Sequence, residues 1–269
     1  MGLSNLYARR AREVDASAIR EICNLVSKRE ICSMAGGWPN PVTFPVDEIR
    51  DIAVAVLTEC PDKALQYGAS EGVAALREKL AWWARERDGV ACGPENVLVT
   101  HGSAQGMELA AKVLLEQDDV AFVGLPTYFG GTGACKTFGA ELVGVPLDDD
   151  GMNVDLLAER IEAVRAAGKR GKLIYVIPDF QNPTGATLPV ERRRRIVELA
   201  NAYDLAVIED NPYRNICFSG EPLPPIKSFD TEGRVVYLRS FSKIFCPGFR
   251  LAFAVAEEDM LRKMVIARQ

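Results

Sequence analysis

One histidine, His101, is all that 269 residues contain. A histidine-built metal centre is thereby excluded, and a serine-histidine-aspartate triad would have His101 as its only base. The neighbouring Gly102-Ser103-Ala104-Gln105-Gly106 lacks the G-x-S-x-G spacing of a nucleophile elbow, so hydrolase chemistry is set aside. Positive charge is also short. Lys and Arg number 32 against 37 Asp and Glu, a net charge of -5, which supplies neither a basic face for nucleic acid nor a polybasic membrane anchor. No apolar run is long enough to span a bilayer, and residues 1–12 have no apolar core of signal-peptide length. The seven cysteines are odd in number, and no two of them form a Cys-x-x-Cys pair. That usage fits reduced thiols in a cytoplasmic protein, not a disulfide or zinc framework.

What remains is an ordinary globular composition, 48% apolar and 26% charged. Residues 13–28 read as a modestly amphipathic helix with Ile19, Ile22, Leu25 and Val26 on one side, followed by a Gly/Pro-rich loop over 34–41. Helices are predicted at 47–59 and 72–88, with Gln66-Tyr67-Gly68 between them. The tetrad Arg192 to Arg195 lies in a helical pattern over 189–203 and reads as a solvated helix face. From residue 95, short apolar runs alternate with helical ones: 97–100, 120–125, 142–145, 173–177, 205–209, 235–238 and 251–255. Seven strands with helices between most of them predict an α/β three-layer sandwich around a mostly parallel sheet. No repeat or linker divides residues 47–269, which form one large domain behind an N-terminal arm, 1–46.

Open sheets of this kind bind ligands beyond the carboxyl ends of their strands. The residues just past each run are therefore the ones to inspect. They are Ser103, Tyr128, Asn182, Asp210, Tyr213, Ser240, Ser242 and Lys243. Lys243 sits between two apolar runs, where it is either a surface lysine covering apolar area with its stem or a desolvated amine able to attack a carbonyl. Ser103 with the amides of Ala104 and Gln105 opens a helix, which suits either a simple N-cap or a phosphate. Arg250 reaches the same edge if the last strand runs antiparallel, and would add a bidentate phosphate partner. Of Glu209 and Asp210, one should face the site, and a buried carboxylate needs a partner. Tyr128 could stack on a ring. A phosphate cradle, a stacking ring, a carboxylate for a ring nitrogen and a reactive lysine describe one cofactor, pyridoxal 5′-phosphate.

Asn182-Pro183-Thr184-Gly185, Asp210-x-x-Tyr213 and Ser240-x-Ser242-Lys243 with Arg250 resemble the signature of class I/II aminotransferases, pyridoxal-phosphate enzymes of fold type I. The resemblance runs from about Ser17 to the end of the chain. Within the family, Ser17-Ala18-Ile19-Arg20, Ala35-Gly36-Gly37, Leu65-Gln66-Tyr67 and Phe180-Gln181-Asn182-Pro183 are most similar to the 2-aminoadipate and aromatic subgroup. The resemblance implies a fold like the large domain of aspartate aminotransferase. Lys243 would bond the cofactor's aldehyde and move a proton, and Asp210 would pair with the protonated ring nitrogen. Asn182 and Tyr213 would bond the ring's phenolic oxygen, and Tyr128 would stack. Ser103, Ala104 or Gln105, Ser240, Ser242 and Arg250 would hold the phosphate. Tyr67 would reach the phosphate of a neighbouring subunit, making a homodimer part of the site. Ser17, Arg20, Gly37 and Asn182 would line the substrate pocket, with Arg20 the candidate for a distal carboxylate.

The implied reaction is transamination between an L-amino acid of 2-aminoadipate, aromatic or branched-chain type and a 2-oxo acid such as 2-oxoglutarate. The sequence ends at Gln269 in a helical stretch begun near Glu257, where the family pattern continues into a small C-terminal domain. The family's arginine for the substrate α-carboxylate falls in that part, so no residue here takes that role. A fragment that binds cofactor or a partner chain without turnover is the alternative reading. A regulator's effector domain is disfavoured, because the fold begins almost at Met1.

Overall fold

The computed structural model describes residues 3–8 and 36–269. Eight strands make one sheet: β1 (Val97–His101), β2 (Val120–Leu125), β3 (Glu141–Asp148), β4 (Gly151–Met152), β5 (Gly171–Val176), β6 (Ala206–Asp210), β7 (Val235–Ser240) and β8 (Leu251–Val255). Their order across the sheet is β1-β8-β7-β6-β5-β2-β3-β4. β2, β3, β5, β6 and β7 pair in parallel, whereas β8 is antiparallel to both β1 and β7. The seven expected strands are all present. The eighth, β4, is a two-residue return that pairs with the end of β3, too short to carry an apolar pattern of its own.

The helices are α1 (Val46–Glu59), α2 (Pro61–Leu65), α3 (Ala74–Asp88), α4 (Ser103–Leu114), α5 (Phe129–Thr137), α6 (Val154–Ala166), α7 (Val190–Ala202) and α8 (Glu258–Arg268). Local chemistry sets several of their ends. Asn153 caps α6 by accepting from the backbone of Asp155 and Leu156, and α3 stops at Gly89, which takes the left-handed conformation at φ 73°.

Side chains alternate across a strand, so each run feeds two cores. Ala121, Val123, Leu173, Tyr175, Ile208, Val236 and Leu238 pack with Met107 of α4, Cys135 of α5 and Met264 of α8. Val120, Phe122, Ile174, Val176, Val207 and Val235 pack on the other face with Leu157 and Ile161 of α6 and Ile196 and Leu199 of α7. Leu80, Ala81 and Ala84 of α3 pack with Tyr237 and Phe253. Each fully buried Leu or Ile in these layers stabilises the fold by about 1.5–3 kcal/mol relative to exposure. α1 is different: none of its residues is buried.

The arginine tetrad corrects one expectation. Arg193 is completely buried and ion-pairs with Asp179 at 2.6 Å, bonding also the carbonyls of Leu188, Pro178 and Pro224. Its guanidinium ties α7 to the loop after β5. Arg192 pairs with Asp148 at 2.6 Å, Arg194 lies 4.2 Å over the Phe229 ring, and Arg195 pairs with Glu198. Only part of the tetrad is a solvated face. A tally of charge along the sequence could not separate the inward position from its neighbours.

Candidate active site

The carboxyl ends of β5, β6 and β7 lie side by side, and the antiparallel β8 begins where they finish. Ser240 at the end of β7 registers with Ala252, and His101 at the end of β1 with Leu251. Arg250, one residue before β8, therefore joins the same edge as Ser103. The contact is close: a Cβ on Gly102, whose φ is +77°, would run into the Arg250 guanidinium. Only glycine lets the turn before α4 and the arginine share this space.

α4 starts at Ser103, leaving its first-turn N–H groups without intrahelical acceptors. Gln105 is already engaged. Its N–H donates to the Gly102 carbonyl and its side chain accepts from the His101 N–H. Of the two backbone donors expected, Ala104, exposed at the helix start, is the one left. On β7, the buried Ser240 hydroxyl accepts from the Ser242 N–H at 3.1 Å, which shapes the turn that carries Lys243. Two serines, an open helix start and a guanidinium thus face one corner of the sheet.

Asp210 and Glu209 part company as strand alternation requires. Glu209 faces the α7 side, where its carboxylate accepts from the N–H groups of Ile226 and Lys227 at 3.0 and 2.8 Å. Burial pushes its pKa up to about 7 against those bonds. Asp210 faces the other way and is the carboxylate of the site. Its Oδ2 accepts from the Tyr175 hydroxyl at 3.0 Å, and its buried Oδ1 has no partner among the described residues. Burial raises the Asp210 pKa to about 6, with the Tyr175 hydrogen bond opposing the rise. An unpartnered carboxylate oxygen in a dry place is costly unless a donor arrives from outside the chain.

Across from it, Asn182 on the loop after β5 donates to the Tyr213 hydroxyl at 3.4 Å. Tyr128 caps the start of α5, half-buried, its phenol pKa raised by burial and then by the Asp210 charge. Lys243 is half-buried, with its Nζ 5.9 Å from the Tyr213 ring centre and 2.9 Å from the Gly37 carbonyl oxygen. Burial lowers the pKa of its ammonium. The edge therefore brings together Ser103, Ala104, Tyr128, Asn182, Asp210, Tyr213, Ser240, Ser242, Lys243, Arg250 and Gly37. Tyr67 is not among them; it is fully exposed beyond α2. Ser17 and Arg20 lie outside the described residues.

Comparison with known proteins gives the lineage. The family model described as Aminotransferase class I and II matches residues 44–269. This chain belongs to that family. The aromatic-amino-acid aminotransferase 1 of Thermococcus litoralis is 44% identical over 98% of this chain and 63% of its own length. A crystal structure of kynurenine aminotransferase from Pyrococcus horikoshii, in complex with PMP, superposes with a TM-score of 0.93 at 41% identity, covering 99% of this chain and 66% of that one. The α-aminoadipate aminotransferase of Thermus thermophilus, complexed with N-(5′-phosphopyridoxyl)-L-leucine, superposes with a TM-score of 0.89 at 36% identity, covering 100% and 66%. The chain thus spans about two thirds of the length of these aminotransferases.

Sequence reasoning missed the groups behind the edge. Tyr175 is one, hidden in an apolar run. Asp88, at the end of α3, is another: it accepts from Tyr237 and pairs with Arg239 at 3.0 Å and Arg214 at 3.2 Å. Arg239 also bonds the Asn211 carbonyl, and Asn211 donates to Asp179 at 2.8 Å. These charges tie the ends of β5, β6 and β7 together from below. The one signal available was the placement of Arg239 and Arg214 directly beside Ser240 and Tyr213.

Proposed function

We propose that this chain is the pyridoxal-phosphate-binding part of an aminotransferase. The observation that carries the reading is the unpartnered, buried Oδ1 of Asp210 on the same edge as a desolvated lysine. A protonated ring nitrogen is the donor that such an oxygen lacks. The open helix start at Ser103, the glycine at 102 and the guanidinium of Arg250 suit a phosphate at the other end of the same molecule.

In this reading Ser103, the Ala104 amide, Ser240, Ser242 and Arg250 hold the phosphate. Tyr128 stacks on the ring, Asp210 holds the ring nitrogen's proton, and Asn182 and Tyr213 bond the phenolic oxygen. Bound there, the cofactor supplies an aldehyde and a ring that draws electrons from the substrate Cα. Lys243 is the chain's own base: its amine, whose pKa burial lowers, takes and returns the proton beside that carbon.

We assign the amino donors to the 2-aminoadipate, aromatic or branched-chain class and the acceptor to 2-oxo acids such as 2-oxoglutarate, with Gly37, Asn182, Ser17 and Arg20 lining the pocket. We assign residues 1–46 to an N-terminal arm and substrate-pocket segment and 47–269 to the cofactor-binding domain. A homodimer fits the exposed apolar side chains of α1, among them Ile52 and Leu57, and the fully exposed Tyr67. A cytoplasmic setting suits the free thiols of Cys60, Cys92, Cys135, Cys217 and Cys246. Among the described residues no helix is long and apolar enough to cross a membrane.

The test is a single-turnover experiment. The purified chain is loaded with pyridoxal phosphate, mixed with an amino acid of each class, and assayed for stoichiometric 2-oxo acid. Release of one equivalent supports transamination. Cofactor binding without release gives the alternative, a chain that binds and does not turn over.

A further inference from the structure

We propose that Tyr175 is a positioning residue that holds one oxygen of Asp210 so that the other is presented to the ring nitrogen. The inference rests on the reading of Asp210 given above. β5 and β6 run in parallel with Tyr175 opposite Ile208, so strand alternation brings Asp210 to the same face one step further on. Both side chains are buried, and the Tyr175 hydroxyl donates to Oδ2 at 3.0 Å. With Oδ2 engaged, Oδ1, which has no partner among the described residues, is left for an incoming donor.

A second observation fixes the tyrosine itself. A Cβ on Gly131 of α5 would overlap the hydroxyl end of the Tyr175 ring. α5 therefore presses its backbone on the phenol and leaves it one place to sit, against Asp210. Tyr128 and Tyr213 face the same carboxylate from the end of β2 and the loop after β6, and both feel its charge. Neither reaches Oδ1. Burial and the neighbouring Asp210 hold the Tyr175 phenol well above its ordinary pKa, so it stays a donor at neutral pH. Its hydrogen bond also counteracts the burial that favours a protonated Asp210, and only the ionised form can pair with a protonated ring nitrogen.

The experiment follows the Asp210 carboxyl by ¹³C NMR across pH in the cofactor-free chain, for the wild type, Tyr175→Phe and Gly131→Ala. The loaded proteins are then compared with ¹⁵N-labelled cofactor. Tyr175→Phe keeps the ring and removes the donor. It is expected to move the Asp210 midpoint to higher pH by on the order of one pH unit and to let the ring nitrogen lose its proton at lower pH. Gly131→Ala, which displaces the phenol and leaves its hydroxyl intact, is expected to move both in the same direction. An unmoved Asp210 midpoint in Tyr175→Phe overturns the proposal. If that variant does not fold, Gly131→Ala decides by the same criterion. The wild type alone decides if neither folds: the ring carbon bearing the Tyr175 hydroxyl must titrate with Asp210, and a flat signal overturns the proposal. Wild type that binds no cofactor sinks the underlying reading instead, a result that does not depend on the carboxyl titration.

Discussion

The Lys243 amine donates a 2.9 Å hydrogen bond to the carbonyl of Gly37 across 206 residues of chain. Gly37 has a φ of +57°, and a Cβ there would stand 3.7 Å from the amine. The bond joins the amine at the strand edge to the segment we assign to the substrate pocket.

Burial lowers the Lys243 pKa, which leaves more free amine at a given pH than an exposed lysine has. Capture of an aldehyde by Lys243 is therefore expected to rise with pH and to level off before surface lysines do. Rates of borohydride-trapped labelling at this residue and at a surface lysine such as Lys63, measured from pH 6 to 10, check it. Equal midpoints would remove the argument from desolvation.

Asp210 carries a cost that the cofactor relieves. Its pKa in the folded chain is raised from 3.8 to about 6, so the folded state binds the proton more tightly than the unfolded one. The sign follows: the cofactor-free chain loses stability as pH rises from about 4 to about 6, and the full penalty, on the order of 3 kcal/mol, is present above that range. Asp210→Asn should flatten this part of the stability–pH curve. Urea midpoints at pH 4 and 7.5 for both proteins provide the comparison.

The charges below the edge predict a contrast. Asp88→Ala removes the buried carboxylate that Arg214 and Arg239 share, leaving Arg214 only Asp179 at 3.8 Å, and is expected to cost about 3–5 kcal/mol. Asp148→Ala breaks the partly exposed pair with Arg192 and is expected to cost about 1 kcal/mol or less. Chemical unfolding of the two variants measures both. Similar losses would show that the buried network is not what holds the strand ends.

Gly102 and Arg250 should act on the phosphate alone. Gly102→Ala forces the guanidinium away and strains a φ of +77°. Affinity for pyridoxal phosphate is expected to fall by about tenfold or more, while affinity for pyridoxal, which has no phosphate, changes little. Titration with the two ligands gives the ratio. Equal losses would place the phosphate elsewhere.

Much of this was legible in the sequence because strands announce both their position and their sidedness. The run ending Glu209-Asp210 predicted one carboxylate on each face, and alternation delivered that split. The place of Arg250 depended on an antiparallel last strand, a conditional the register of β8 with β7 resolves. The supporting groups were illegible for a definite reason. Tyr175 reads as one more core residue in an apolar run, because its hydroxyl acquires meaning only from a strand that comes later in sequence. Asp88 meets Tyr237 across 149 residues, and Arg193 looks like its solvated neighbours until α7 is set on the sheet. Pairings of that range leave no local pattern.

The most direct test of the account is the identity of the residue that bonds the cofactor. The chain is incubated with pyridoxal phosphate, reduced with borohydride, digested, and the labelled peptide is sequenced by mass spectrometry. The account predicts a single label on Lys243, absent from Lys243→Ala. A label at another lysine, or the same absorbance in the variant, would contradict it.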